Sequence, residues 1–226
     1  MGLFSFICDT VSSVASTAVS VASSIGGAIS STIDKMLPYL EKIHPVLGQV
    51  SEIIRDVGKI LGILNPGEEI EDIGDRVIQA SEQDPTMKPE RFDTYEEYLN
   101  AIRTFELDPQ KTKQNQENQT ATIIGLATVG KATEERFDLR DNSSVEMIRV
   151  IAKSREFFNA DRMGNLVRND ANFGEIGRYL DGKLSLGQTD ALYDRLFAME
   201  QKINPSANRD QFDNALYAAK NTQETA

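Results

Sequence analysis

Tryptophan is missing from this 226-residue chain, and cysteine and histidine occur once each, at Cys8 and His44. A lone cysteine excludes an internal disulfide framework, and one Cys with one His cannot make a Cys/His zinc cage. Positive charge is short as well: 24 Lys and Arg stand against 35 Asp and Glu, for a net charge of −11. Neutralising phosphates needs a basic surface, so a nucleic-acid partner is disfavoured. No internal repeat is visible, and no alternating strand pattern beyond an ambiguous Thr120–Ile124. The length suffices for a real core. The expected fold class is all-α: an amino-terminal amphipathic helical hairpin (residues 1–64), acidic helices with a loop (65–118), and a helical body (119–226).

The acidity is uneven. Residues 1–64 carry four Lys and Arg against five Asp and Glu, whereas residues 65–226 carry 20 against 30. Between Asp9 and Asp34, charge is absent altogether. Thr10–Ile33 holds eight Ser, three Thr, four Ala, two Gly, four Val and three Ile, and nothing else. As one helix this stretch would be roughly 36 Å long, enough for a hydrocarbon layer of about 30 Å.

A secretory signal fits poorly, because no Lys or Arg precedes the stretch and Ser dilutes its apolar core. Myristoylation fits poorly too, since Phe6 stands where the motif after Gly2 asks for Ser or Thr. A flexible Ser-rich linker would scatter its residue types. Here Val11, Val14, Val19, Val21, Ile25, Ile29 and Ile33 fall within about 160° of a helical wheel. Ser12, Ser13, Ser16, Ser20, Ser23, Ser24, Ser30 and Ser31 fall on the opposite side, within about 120°. The spacing therefore predicts an amphipathic helix whose polar face is hydroxyl rather than charge. Gly26-Gly27 and the β-branched content lower its intrinsic propensity.

Pro38 and Pro45 bracket a bend, and a second amphipathic helix is expected from Val46 to Leu64, ended by Asn65-Pro66-Gly67. It contains Gly58-x-x-x-Gly62, but Lys59 and the charges around it suit an interfacial or pore-lining helix. Further helices are expected over Glu68–Gln83, from the capping box Thr94-x-x-Glu97, and from Asp108-Pro109 through Lys111–Gln119 into Ala121–Val129. The remaining ones are Val145–Phe158 behind a second box at Ser143-x-x-Glu146, Phe173–Leu180, Thr189–Ile203, and a last one from Asn204-Pro205 to about Lys220.

No catalytic constellation stands out, and the chain reads as non-enzymatic. Gly125-x-x-x-x-Gly130-Lys131 has phosphate-loop spacing, but Ala132 stands where a Mg²⁺-binding hydroxyl belongs. Two ordinary helical glycines are the simpler reading. The pairs Glu68-Glu69, Glu71-Asp72, Glu96-Glu97 and Glu134-Glu135 read as solvated helix faces. His44 reads as a surface or cap residue, and Cys8 as a small apolar one. No cofactor or metal is expected.

The first helix carries the functional question. In one reading its aliphatic stripe packs on the rest of the fold, with Ser facing water. In the other it enters a bilayer through Val11, Val14, Val21, Ile25, Ile29 and Ile33 and forms an oligomer. Ser12, Ser16, Ser20, Ser24, Gly27 and Ser31 then make the helix–helix or pore-lining face. Ser12, Ser16, Ser20, Ser24, Ala28 and Thr32 form an unbroken small-xxx-small series, the spacing that lets helices approach closely in lipid. Seven Val and Ile supply about −3 kcal/mol on an insertion scale, so a single copy is a marginal span. Periodicity alone does not separate the two readings.

With this amino terminus, Gly26-Gly27 and the acidic helical remainder, the chain resembles small signal-less pore-forming effectors that bacteria deliver by contractile (type VI) secretion. The resemblance is compositional and covers residues 1–64. It implies a protein soluble in the producing cytoplasm, carried by secretion machinery to a target-cell membrane, where it causes ion leakage. It also implies a cognate immunity protein. Two alternatives remain open: a helical virion or phage assembly component, and an adaptor that uses the first hairpin for partner contact.

Overall fold

A computed structural model describes residues 16–21, 24–117 and 119–222, whose regular structure is all helical, with no strand among them. Residues 16–21 and 24–25 are helical and lead to Gly26. Beyond it lie α1 (Gly27–Met36), α2 (Leu40–Ile43) between two 3₁₀ turns that begin at Leu37-Pro38 and His44-Pro45, and α3 (Leu47–Ile60). The two prolines sit in the first positions of those turns, where a missing N–H costs nothing. The acidic region forms α4 (Ile70–Gln83), α5 (Tyr95–Arg103) and α6 (Pro109–Glu117). The remainder forms α7 (Thr120–Arg136), α8 (Ser143–Lys153), α9 (Ala160–Arg168), α10 (Phe173–Leu180), α11 (Leu186–Ile203) and α12 (Arg209–Asn221).

The centre of the fold is α7. Nearly every residue from Thr120 to Glu134 is buried, so the helix shows no polar face and packs on neighbours all round. Its main partner is α4, and α1, α3, α5, α6 and α8 also touch it. The α4–α7 crossing brings backbone against backbone. A Cβ on Gly74 would lie 1.8 Å from the Ala121 carbonyl oxygen, and one on Gly125 would lie 2.0 Å from that of Ile70. Gly130 serves the next contact, where a Cβ would meet that of Ser144 at 2.7 Å. The phosphate-loop spacing is thus explained by close packing inside one buried helix. The ambiguous Thr120–Ile124 is that helix's first turns. The helix expected to run continuously from Lys111 into Val129 is instead two, α6 and α7, parted at Gln119 with φ 57°.

The aliphatic residues of all three expected regions share one contiguous core, from Ala18 to Ala219. α1 packs mainly on α7, α8 and the 3₁₀ turn at Pro89, while α3 packs on α9, α8, α7 and α4. α3 ends in a Schellman motif: Ile63 N–H bonds Gly58 O at 2.8 Å, and Gly62 N–H bonds Lys59 O at 3.2 Å. Gly62 takes the positive φ of 71° that this turn requires, which accounts for the second glycine of Gly58-x-x-x-Gly62. Three distant arginines finish this terminus. Arg168, Arg136 and Arg103 donate to the carbonyls of Ile60, Gly62 and Ile63 at 2.7, 2.7 and 2.8 Å. Guanidinium groups suit the negative end of a helix.

Distant carboxylates do the converse at helix starts. Glu90 Oε1 accepts from Ala28 N–H at 2.9 Å, Glu135 Oε1 from Tyr95 N–H at 2.9 Å, and Glu134 Oε1 from Ser144 N–H at 2.7 Å. The expected cap at Thr94 is present, accepting from Glu97 N–H at 3.2 Å. The box expected at Ser143-x-x-Glu146 does not form. Asn142, at φ 70°, precedes α8, and Glu146 bonds Arg149 instead. A capping box that was not expected closes at Ser185 and Gln188, opening α11.

Candidate functional site

The uncharged amino-terminal segment meets the body along a seam centred on Gly26. Ile25, Ile29, Ile33 and Met36 are fully buried there, and Ala18 is buried further back. Val21 is half-buried, and Val19 is 40% exposed. Of the small residues on the other face, Ser16, Ser20, Gly27 and Ser31 are exposed and Ser24 is half-buried. Val11, Val14 and Ser12 lie outside the described residues. The helical wheel therefore sorts the described residues correctly into a protein-facing aliphatic side and an outward hydroxyl side, with Val19 at the margin.

Two hydroxyls of the outward side, and that of the buried Thr32, bond within their own helix. Ser24 Oγ donates to Val21 O at 2.7 Å, Ser20 Oγ to Thr17 O at 3.0 Å, and Thr32 Oγ1 to Ala28 O at 3.0 Å. Such back-bonding satisfies a hydroxyl without water or a partner chain.

Gly26 interrupts the helix at φ 113° and ψ 148°, a conformation open in practice only to glycine. Pro89 and Glu90, from the turn before α5, close over it. A Cβ on Gly26 would lie 2.7 Å from Glu90 Oε2 and 2.9 Å from Pro89 Cδ. Beside this turn sits an aromatic cluster of Phe92, Tyr95 and Tyr98, with centroid separations of 5.5 Å and 6.1 Å about Tyr98. The Tyr95 and Tyr98 hydroxyls are buried without a hydrogen-bond partner. Burial, reinforced by the Glu90 carboxylate, pushes both well above the usual phenol range. Glu90 and Pro89 escaped the sequence reading, in which Lys88-Pro89 marks only a loop. Their contact with Gly26 joins residues 63 or 64 apart in the chain.

Glu96 and Glu97 are exposed, as expected of a solvated face, whereas members of the other carboxylate pairs tie elements of the fold together. Glu68 pairs with Arg103 at 2.7 Å, and Glu69 with Arg55 at 3.0 Å. Glu71 accepts from Ser51 at 2.9 Å and from Thr122 at 3.2 Å. Glu134, buried to 4% exposure, pairs with Lys131 of the former phosphate-loop pattern. Among the described residues no three His, Cys, Asp or Glu side chains gather as a metal site. The His44 imidazole turns inward with Nε2 buried and unbonded, not outward as a surface residue. A groove of about 310 Å³ lies where Tyr39 and Lys42 face Arg149 and Asp181, and Arg149 there is tied to Asp181 at 3.0 Å and to Glu146 at 2.8 Å.

No helix among the described residues is long and apolar enough to cross a membrane. α1 spans only ten residues, because Gly26 cuts the uncharged stretch. No protein-family model, no curated protein and no solved structure matches the chain.

Proposed function

We propose that this is a non-enzymatic, membrane-permeabilising protein, with the hairpin of residues 1–64 as its working part and the acidic helical body as its holder. On this reading the fold is a stored form, in which the aliphatic stripe is kept out of water until a bilayer replaces the body as its partner. The observation that carries the reading is the hydroxyl face. A surface helix of a soluble protein ordinarily carries Lys and Glu. This one carries small residues, and the hydroxyls of Ser20 and Ser24 are already bonded to their own helix. Back-bonded hydroxyls enter lipid without stranding a donor, and small residues let copies pair closely. Undocking Ile25, Ile29, Ile33 and Met36 into water would cost about 8 kcal/mol, and transfer into hydrocarbon returns a comparable amount.

The likeness to contractile-secretion effectors extends the proposal. The protein would stay soluble in the producing cytoplasm with an immunity protein, ride the secretion machinery, and assemble as an oligomer in the target-cell membrane.

The complete burial of Ile25, Ile29 and Ile33 favours a second reading, an assembly component or adaptor whose first helix stays docked. Vesicle leakage separates them. Purified protein is expected to release small ions from vesicles. Binding without release supports an anchoring or structural role, and no binding supports the adaptor. Replacing Ser16 and Ser20 by Leu should weaken conductance while raising vesicle binding. Unchanged conductance would sink the Ser-face model.

A further inference from the structure

We infer that Gly26 is a two-state hinge and that Glu90 is the latch that holds it bent. This deepens the membrane reading and rests on it. The bent state is the one observed, with Gly26 at φ 113° and Glu90 Oε1 on Ala28 N–H at 2.9 Å. In an unbroken helix the same N–H would bond the carbonyl four residues back, that of Ser24. Glu90 therefore stands in for the Ser24 carbonyl, and the two states compete for one donor. The bond from Ser30 N–H to Gly26 O, 3.0 Å, belongs to both states. Rotation at a single residue thus converts one into the other.

The consequence is length. Bent, the segment beyond Gly26 is the ten-residue α1, about 15 Å long. Straight, the uncharged stretch Thr10–Ile33 becomes one helix of roughly 36 Å, long enough for a bilayer core. A Cβ at position 26 is incompatible with the bent state twice over, through its φ and through its clash with Glu90 and Pro89. Alanine there still permits a straight helix, whereas proline forbids it by removing the N–H and striking the preceding turn.

The test uses the full chain. By hydrogen exchange in water, Glu90→Ala should speed exchange at Ala28 about fivefold, while α4 and α7 are unchanged. Unchanged exchange at Ala28 overturns the latch. With vesicles of phosphatidylethanolamine and phosphatidylglycerol, Gly26→Ala should release trapped ions at least tenfold faster than Gly26→Pro. Both variants lose the bent state, so equal, measurable rates overturn the hinge while leaving the membrane reading intact. If no variant leaks, the membrane reading fails. The hinge then stands or falls on helical content in dodecylphosphocholine micelles. Wild type and Gly26→Ala should gain helix that Gly26→Pro does not, and equal ellipticity overturns it.

Discussion

The carboxylate of Glu134, near the end of α7, accepts from both the N–H and the hydroxyl of Ser144, at 2.7 and 2.6 Å, and so caps α8 from another helix. Both residues are buried, and Lys131 supplies the countercharge. Removing the carboxylate strands the Ser144 N–H and leaves Lys131 unpaired. Glu134→Ala should cost about 3 kcal/mol in urea unfolding, and Ser144→Ala about 1 kcal/mol. A cost below that of Ser144→Ala would show that water replaces the cap.

Backbone contact between α4 and α7 makes a sharper prediction. Gly74→Ala and Gly125→Ala each force a methyl group onto a carbonyl oxygen, at 1.8 and 2.0 Å. The helices must separate, which opens the centre of the core, and a loss above about 4 kcal/mol or failure to fold is expected. Gly48 is the control. It lies in α3 with nothing within 4 Å of a Cβ, so Gly48→Ala should stabilise by about 0.5–1 kcal/mol. Thermal melts of the three variants check the ordering.

These two cases mark what the sequence could disclose. Helices with a clean stripe and a local signal were legible: Thr94 caps α5, Pro109 opens α6, and Phe173–Leu180 lies where the pattern puts it. In the amino-terminal stretch the sorting by burial was legible, since Ile25, Ile29 and Ile33 are buried and Ser16, Ser20 and Ser31 exposed, but the break at Gly26 was not. α9 was missed, although it is as long as α5 and Asn159 caps it. The caps from Glu90, Glu134 and Glu135, which come from 62, 10 and 40 residues away, were not legible either. A carboxylate in a run of charges looks the same in sequence whether it faces water or another helix's first turn. The partner of the aliphatic stripe is equally tertiary, so periodicity could name the face but not what covers it.

Stability should fall in acid through Glu68. Burial alone would raise its carboxyl, but hydrogen bonds from Arg103 and from Asn65 N–H outweigh this and hold it below its ordinary 4.5. The unfolded chain then takes up the proton first. The contribution is complete above the ordinary value and is lost as pH falls through the folded one. Glu69, held down against burial by Arg55 and Lys59, acts in the same direction. Asp72 opposes them, since burial raises it above 3.8 despite Arg76, with help from Glu69 and Glu71. Urea midpoints should therefore drop from about pH 5 to about pH 3, and Arg103→Met should flatten that slope. The same variant should cost about 2 kcal/mol at neutral pH, because the Ile63 carbonyl also loses its donor. An unflattened slope would move the acid sensitivity to other carboxylates.

The hold of α4 on α6 can be tested in isolation, because α6 has no buried residue to dock it. What fixes it is Asp75, fully buried on α4, which accepts from Thr112 Oγ1 at 2.5 Å and Asn115 Nδ2 at 2.7 Å. Gln79 completes the network, donating to Asp75 at 3.0 Å and accepting from Asp108 N–H at 2.8 Å. With no apolar face to share the load, losing the carboxylate should release the helix while the glycine crossing beneath stays shut. Asp75→Ala is expected to raise amide exchange across Pro109–Glu117 to the level of an open loop, with α7 still protected. It should also cost about 2–3 kcal/mol, since the buried Gln79 and the half-buried Thr112 and Asn115 all lose their acceptor. Retained protection in α6 would transfer its docking to the exposed Lys111–Glu82 pair, and adding Lys111→Met to Asp75→Ala would then have to abolish it.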